Sequence, residues 1–370
     1  RVGSVFQDPK SQFFSSELAG EVAFACENYG MAREEVRSRT DAAIQTFSLE
    51  HLRGRSLDVL SSGEKQRVAI ASVYALRPGV YVCDEPTANL DGEGSEQLAE
   101  TLKKLKAEGC TLVIAEHRLA WLSGIADRFL YLDGGRILWE KSPVEMAHMS
   151  EGERETYGLR EVTQSPFPDL PQPESGDVFI RTEDLSCKRK GNLIFHHLSL
   201  SVCAGQVTAV TGRNGAGKTS LAMALSGLWK ERGGSVLIGG EKLRAAGRRR
   251  RAWYSANDTG TQFFTNSVTE ELLLGDHHSQ TRLEQAGGLL KRLGLYAYKD
   301  AHPATLSGGQ KQRLSLACGI LSGRDVLIFD EPTSGLDGGN MRIIADMLRN
   351  EADKGKTILV ITHDVELIRR

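Results

Sequence analysis

The chain repeats itself, and this constrains its fold more than any single motif does. The segment LSSGEKQRVAIA, starting at Leu60, returns as LSGGQKQRLSLA from Leu306. VYVCDEPTANLD from Val80 returns as VLIFDEPTSGLD from Val326, and TLVIAEH from Thr111 returns as TILVITH from Thr357. Glu85 and Glu331 lie 246 residues apart, and so do His117 and His363. Upstream, FQDPKSQFF from Phe6 matches ANDTGTQFF from Ala256 at an offset of 250. One register with a single four-residue slip is a duplication, so two copies of one domain are predicted.

The copies are not equally complete. Copy two carries residues 178–255 ahead of its ANDTGTQFF, whereas copy one has only residues 1–5 ahead of FQDPKSQFF. Copy one runs on past His117 to about His148, and copy two ends seven residues after His363. The chain therefore reads as cut at both ends, with domain 1 over residues 1–149 and domain 2 over residues 178–370. Between them, residues 150–177 are rich in Pro, Ser and acidic side chains and show no helical periodicity, which predicts an extended linker.

Composition narrows the class. With 370 residues, 40% hydrophobic, 25% charged and a net charge of −2, the chain has the make-up of an ordinary globular protein. It lacks the basic excess of a nucleic-acid binder. Cys26, Cys83, Cys110, Cys187, Cys203 and Cys318 lie far apart with no CxxC pair, which predicts buried reduced thiols, not a disulfide framework or a zinc site. No apolar run reaches the ~18–20 residues that cross a bilayer. The basic run Arg248–Arg251 is expected to be a solvated surface.

The chemistry begins in copy two. Val207–Val210 reads as a short buried strand, followed by the GxxxxGK[ST] pattern Gly212, Arg213, Asn214, Gly215, Ala216, Gly217, Lys218, Thr219, with Ser220 opening a helical pattern. Strand, glycine loop and helix in that order make a phosphate-binding loop, whose backbone N–H groups converge on phosphate oxygens at a helix N-terminus. Lys218 is expected to reach the β/γ-phosphates of ATP, and Thr219 to ligate Mg²⁺. Copy one has no such loop.

Two apolar strands end in Asp-Glu-Pro, at Asp84–Glu85 and Asp330–Glu331. The C-terminal edge of such strands is where open α/β sheets bind ligands. Asp84 and Asp330 suit Mg²⁺, directly or through water. Glu85 and Glu331 suit a general base for the attacking water, an effect typically of ~10²–10⁴-fold in rate. His117 and His363 follow buried strands at the same spacing from these glutamates and are expected to contact the γ-phosphate or the water.

These residues together resemble the ATP-binding cassette (ABC) ATPases. Leu306, Ser307, Gly308, Gly309 and Gln310 look like the family's signature motif, and Ser61, Ser62, Gly63 and Glu64 occupy the same place in copy one. The resemblance implies an α/β P-loop NTPase fold with two nucleotide-binding domains in tandem, each a RecA-like core with a helical signature subdomain. It implies head-to-tail pairing, within or between chains, with ATP and Mg²⁺ between one cassette's loop and the other's signature. Asp91 and Asp337 would end the loops that couple the two sites. The stretch VFQDPKSQFFSSELAGEVAFACENYG more narrowly resembles the ATPase pair of energy-coupling-factor importers of vitamins and metal ions. That implies Gln7, and Asn257 in copy two, as sensors of Mg²⁺ and γ-phosphate. It also implies integral membrane partners, a transmembrane coupling protein and a substrate-capture protein, and a peripheral position on the cytoplasmic membrane face. Glu17, Glu21, Glu270 and Glu271 would either wall an acidic groove for a partner arginine or form a solvated helix face.

The copies depart from the family pattern unequally. Ser62 places a Cβ where a glycine normally lets backbone approach phosphate, Glu64 adds a negative charge, and Asn257 is one methylene shorter than glutamine. Where an aromatic ring normally stacks on adenine, only Arg189 or its neighbours are available. The Lys218 site is therefore expected to turn over more slowly than the site built on Gln7, Glu85 and His117. A tandem ABC ATPase acting on ribosomes or nucleic acid is the alternative function, disfavoured by the short Pro-containing linker and the neutral charge.

Overall fold

The computed structural model describes residues 1–88, 90–163, 176–189, 191–275 and 279–370, with the backbone alone at residue 62. The chain divides into two compact units, Arg1–Ser165 and Pro166–Arg370.

Unit 1 is built on a parallel sheet of β1 (Val2–Val5), β2 (Val80–Asp84) and β3 (Thr111–Ala115), in that spatial order. Parallel strands need crossovers, and helices provide them. Between β1 and β2 run α1 (Leu18–Asn28), α2 (Arg33–Thr46) and α3 (Ser62–Tyr74); α4 (Gly92–Ala107) leads into β3. Leu18, Val22, Ile44, Val68, Ile70 and Leu102 form their common core. An antiparallel ribbon follows, β4 (Phe129–Asp133) and β5 (Arg136–Lys141), turning at Gly134–Gly135. Both glycines have positive φ, 54° and 75°, as a two-residue hairpin of right-handed twist demands. Two short helices, α5 (Pro143–Ala147) and α6 (Glu151–Thr156), close the unit.

The predicted linker fails at its N-terminal end. Ser150 caps α6 and exchanges hydrogen bonds with Glu153, a capping box that starts a helix where Pro and acidic content suggested none. Val162, Tyr157 and Leu159 then pack against Met146, Met149 and Trp139. Residues 164–175 of the expected linker lie outside the described residues.

Unit 2 has two sheets. β6 (Val178–Arg189) and β7 (Asn192–Cys203) form a long antiparallel pair. β8 (Val207–Val210) leads to α7 (Lys218–Leu225). β9 (Gly233–Ile238) and β10 (Glu241–Lys242) complete the antiparallel sheet in the order β10-β9-β6-β7. After α8 (Ala245–Arg251), β11 (Ala252–Ser255) enters the parallel sheet. Then come α9 (Val268–Leu272), α10 (Gln280–Arg292), α11 (Gly308–Leu321), β12 (Val326–Asp330), α12 (Gly338–Asp353), β13 (Thr357–Ile361) and α13 (Val365–Arg369). The parallel sheet runs β11-β12-β13-β8.

Strand burial corrects two expectations. β12 and β13 are buried throughout, as all-apolar strands covered on both faces should be. The matching β3 is half exposed, with Val113 open to solvent, so His117 does not follow a buried strand. β8 is also only partly covered, with Val207 exposed.

The basic run is not simply solvated. Arg249 and Arg250 are exposed, but Arg248 is completely buried, donating to the Leu243 carbonyl at 2.9 Å and pairing with Glu231. α8 turns that one arginine inward, where its planar fork suits a partly buried carboxylate. All six cysteines are free. Among the described residues no helix is long and apolar enough to cross a membrane.

Candidate nucleotide site

In unit 2 the phosphate-loop glycines take the left-handed backbone that lets a loop fold back on itself: Gly215 at φ 80° and Gly217 at φ 95°. Gly217 is the residue before α7, and a Cβ there would come within 3.1 Å of Ile194. The Lys218 ammonium curls over the loop, donating to the carbonyls of Gly212 and Arg213, the latter at 3.0 Å. Asn214 is within 3.2 Å of the His363 ring nitrogen, so the loop and the end of β13 meet.

The next side chain on α7, Thr219, donates to Asp330 Oδ2 at 2.7 Å, and the Tyr254 hydroxyl donates to the same oxygen at 3.2 Å. Burial raises the Asp330 carboxyl above its usual range, and those two hydrogen bonds and Lys218 oppose the rise. A hydroxyl and a carboxylate facing each other in a buried setting are the hard oxygen donors that Mg²⁺ takes. The donor set therefore fits Mg²⁺ on a nucleotide: Thr219 and Asp330 would hold the metal and the loop would hold the phosphates. Metal and loop together would neutralise phosphate charge. In unit 1, Asp84 sits at the matching strand end but is exposed.

The two glutamates share a strained backbone. Glu85 has φ 40° and Glu331 φ 51°, a region few non-glycine residues adopt and which costs of order 1–3 kcal/mol. Each is pinned by its own N–H, Glu85 to the Ala115 carbonyl and Glu331 to the Ile361 carbonyl, both at 2.8 Å. The turn lifts each carboxylate off the strand end toward its histidine.

The neighbours of the two carboxylates then differ. Gln7 donates to Glu85 at 2.9 Å and the His117 ring lies 3.4 Å from it. Burial pushes the Glu85 carboxyl up; Glu116 and Asp84 add to this, while His117 and Gln7 oppose it. Glu331 has His363 at 3.7 Å and accepts from Thr362 at 3.3 Å. Asn257 is exposed, and its backbone carbonyl accepts from Gln312.

The signature segments are helix N-caps. Ser307 caps α11, receives the Gln310 N–H, and has its own N–H bound by Gln310 Oε1 at 2.9 Å. Ser61 caps α3 the same way, but its hydroxyl also donates to Glu64 at 2.8 Å. The Glu64 carboxyl is depressed: burial pushes it up, and the Ser61 backbone and side-chain hydrogen bonds outweigh that. The charge expected near nucleotide is thus already engaged within the cap. A Cβ on Gly308 would meet nothing within 4 Å, so a serine at that signature position causes no clash inside the fold. The Ser62 side chain itself lies outside the described part. A Cβ on Gly309 would approach Leu336 to 2.7 Å, so unit 2 needs a glycine there, whereas a Cβ on the matching Gly63 would stand an ordinary 3.7 Å from Leu90. Asp91 and Asp337 cap α4 and α12, accepting from Gly94 at 2.9 Å and Asn340 at 2.7 Å.

The acidic-groove expectation splits. Glu21 and Glu271 are buried, not groove walls: Glu21 accepts the N–H groups of Phe14 and Ser15, and Glu271 those of Phe264 and Thr265. Glu17 and Glu270 are exposed. What the two carboxylates hold up is an aromatic knob, Phe14 at 75% and Phe264 at 79% exposure, in the same place in each copy. Arg189, considered for adenine stacking, lies over the Trp229 ring at 4.5 Å. Sequence reasoning did not find Tyr254, Trp229, Glu116 or Asp364. The threonines of the two DEPT motifs, Thr87 and Thr333, were the available signal for the last two, because a buried hydroxyl needs a partner.

Comparison with known proteins agrees with this geometry. The ABC transporter family profile matches residues 1–88 and 195–334. A putative ABC transporter ATP-binding protein of Treponema denticola is 39% identical across 100% of this chain and 76% of its own length. The putative HMP/thiamine import ATP-binding protein YkoD of Bacillus subtilis is 30% identical over 99% of this chain and 72% of its own. Among solved structures, ABCE1 in a ribosome-bound archaeal complex with Pelota aligns with a TM-score of 0.73 at 23% identity, covering 100% of this chain and 60% of that one. That likeness shows a shared tandem-cassette α/β P-loop fold. The chain belongs to the ABC transporter ATP-binding family, whose cassettes bind ATP with Mg²⁺ and hydrolyse it.

Proposed function

We propose that this chain is the fused ATP-binding subunit of a membrane importer of the energy-coupling-factor type, driving uptake of a vitamin or a metal ion. The observation that carries this reading is the pair of exposed phenylalanines, Phe14 and Phe264. Each stands on a loop whose backbone is fixed by a buried carboxylate just after the QDP or NDT turn. Large exposed aromatic side chains on a rigid support are what a docking surface needs. Relatives named as transporter ATP-binding proteins, one of them for thiamine import, support it further.

In this reading ATP closes the cassettes head to tail. Lys218, Thr219 and Asp330 serve one nucleotide with Glu331 as base and His363 beside it. Gln7, Glu85 and His117 serve the other, with the Leu306–Gln310 signature opposite. Phe14 and Phe264 receive the coupling protein, while a separate membrane subunit captures the solute.

The test is fractionation of the full-length protein expressed with its membrane subunits. Native protein is expected in the membrane fraction, and Phe14→Asp with Phe264→Asp is expected to release it while leaving ATP binding intact. Recovery with ribosomes instead of membranes would overturn the reading in favour of a translation role.

A further inference from the structure

The turn that carries each histidine is tied to the threonine of the DEPT motif, and the two copies make the tie with different residues. In unit 1, Thr87 is completely buried and donates to Glu116 Oε2 at 2.6 Å. The other oxygen, Oε1, accepts the N–H of His117 at 2.9 Å and that of Arg118 at 3.1 Å. One carboxylate thus holds the histidine's own N–H and the next one, and fastens both to the loop that follows Glu85.

The aligned residue in unit 2 is Thr362, which is too short for both tasks, and the work is divided. Thr362 accepts the N–H of Asp364 at 3.0 Å and donates to Glu331 at 3.3 Å. Asp364 then accepts from the buried Thr333 at 2.6 Å and from the N–H of Leu367 at 3.3 Å. The carboxylate that holds the threonine precedes the histidine in unit 1 and follows it in unit 2. The same connection arises from opposite sides of the ring, so what the two copies share is the tie and not the sequence.

The tie in unit 1 is built on one carboxylate. Hydrogen bonds to a charged acceptor are the strong kind, and three converge on Glu116.

We propose that Glu116 is a positioning residue for ATP hydrolysis, latching the His117 turn to Thr87, and that Asp364 performs the same task for His363. Neither residue touches the reacting atoms; each acts through its histidine.

The test uses steady-state ATPase kinetics and thermal melting on the full-length chain. Glu116→Ala is expected to lower kcat by about 10- to 100-fold, the cost of a small misplacement of a reacting group, with KM for ATP within about twofold. Thr87→Val, which removes only the donor, is expected to lower kcat in the same direction. Glu116→Thr with Arg118→Asp installs the unit 2 arrangement in unit 1, and it is expected to restore kcat to within about threefold of the native value. An unchanged kcat in Glu116→Ala, or a double variant no better than Glu116→Ala, overturns the assignment. If His117→Ala leaves kcat unchanged as well, the reading of the Glu85 end as a working site falls with it.

Discussion

The ends of β2 and β12 carry the same four residues, Asp-Glu-Pro-Thr, and surround them differently. The strained glutamate, its hydrogen bond to the neighbouring strand and the buried threonine are alike in both. The aspartate's partners are described in unit 2, where Asp330 is buried against Thr219 and Tyr254. Around the glutamate the two units differ: Glu85 has Gln7 and His117 close, whereas His363 and Thr362 lie at longer range from Glu331. Duplication has kept the backbone device that presents a base and let its neighbours drift. The drift in unit 2 falls on the base's neighbours, not on the metal-holding pair.

The largest expected effect breaks or upholds that contrast directly. Glu85→Gln and Glu331→Gln each remove a base while keeping shape, and loss of a working general base costs ~10²–10⁴-fold. The closer neighbours of Glu85 imply that Glu85→Gln has the larger effect on ATPase activity of the full-length protein. Equal losses, or a larger one in Glu331→Gln, would show that the longer distances from Glu331 to His363 and Thr362 do not slow it.

Next in size is a stability effect confined to unit 2. Arg248→Met leaves Glu231 without its buried partner, and breaking such a pair typically costs about 3–5 kcal/mol. Pairing it with Glu231→Gln is expected to recover much of that loss, measured as the denaturant midpoint. A melt unchanged by Arg248→Met would return the run to the solvated surface expected from sequence.

The supports of the two aromatic knobs come third. Glu21→Gln and Glu271→Gln replace a charged acceptor of two backbone N–H groups by a neutral one, a change of about 1–3 kcal/mol in each unit. Thermal melting measures the stability loss and membrane fractionation the partner binding. Glu271 also accepts from the Thr265 hydroxyl and so should tolerate the change less well than Glu21. The reverse order would mean that the extra hydroxyl contributes nothing.

The repeat, the phosphate loop and the DEP carboxylates were legible because each is a local spacing with a local cause: glycines where φ is positive, apolar runs where strands pair. Long-range facts were not legible. Nothing in RRRR says that the first arginine faces inward, since Glu231 lies 17 residues away. Glu21 and Glu271 read as groove walls because the backbone N–H groups they satisfy belong to a loop whose path sequence does not give. The capping box at Ser150 and Glu153 could have been read, since its S-x-x-E pattern stands in the sequence, but Pro content downstream outweighed it. Alignment itself hid Glu116, because it pairs that residue with Thr362 while the matching carboxylate sits two positions on, at Asp364.

The smallest expected effect tests the signature segments. Ser61 and Ser307 cap their helices alike, yet only the Ser61 hydroxyl donates to an acidic side chain. While Glu64 holds that proton, the hydroxyl cannot offer it to a γ-phosphate. Glu64→Gln keeps the capping box, as Gln310 shows, and releases the hydroxyl. Stability should change by less than about 0.5 kcal/mol, the usual range for a surface substitution that keeps its cap. Turnover at the Lys218 site should rise severalfold, on the order of one charge-assisted hydrogen bond partly regained. Gly308→Ser makes the opposite exchange in unit 2 and, with no atom within 4 Å of the new Cβ, should also leave the melting temperature unchanged. Read in a Glu85→Gln background, where Glu331 is the remaining base, a Glu64→Gln rate no higher than its parent would mean that the signature does not limit that site and would leave Asn257 and the distances around Glu331 as the features to test.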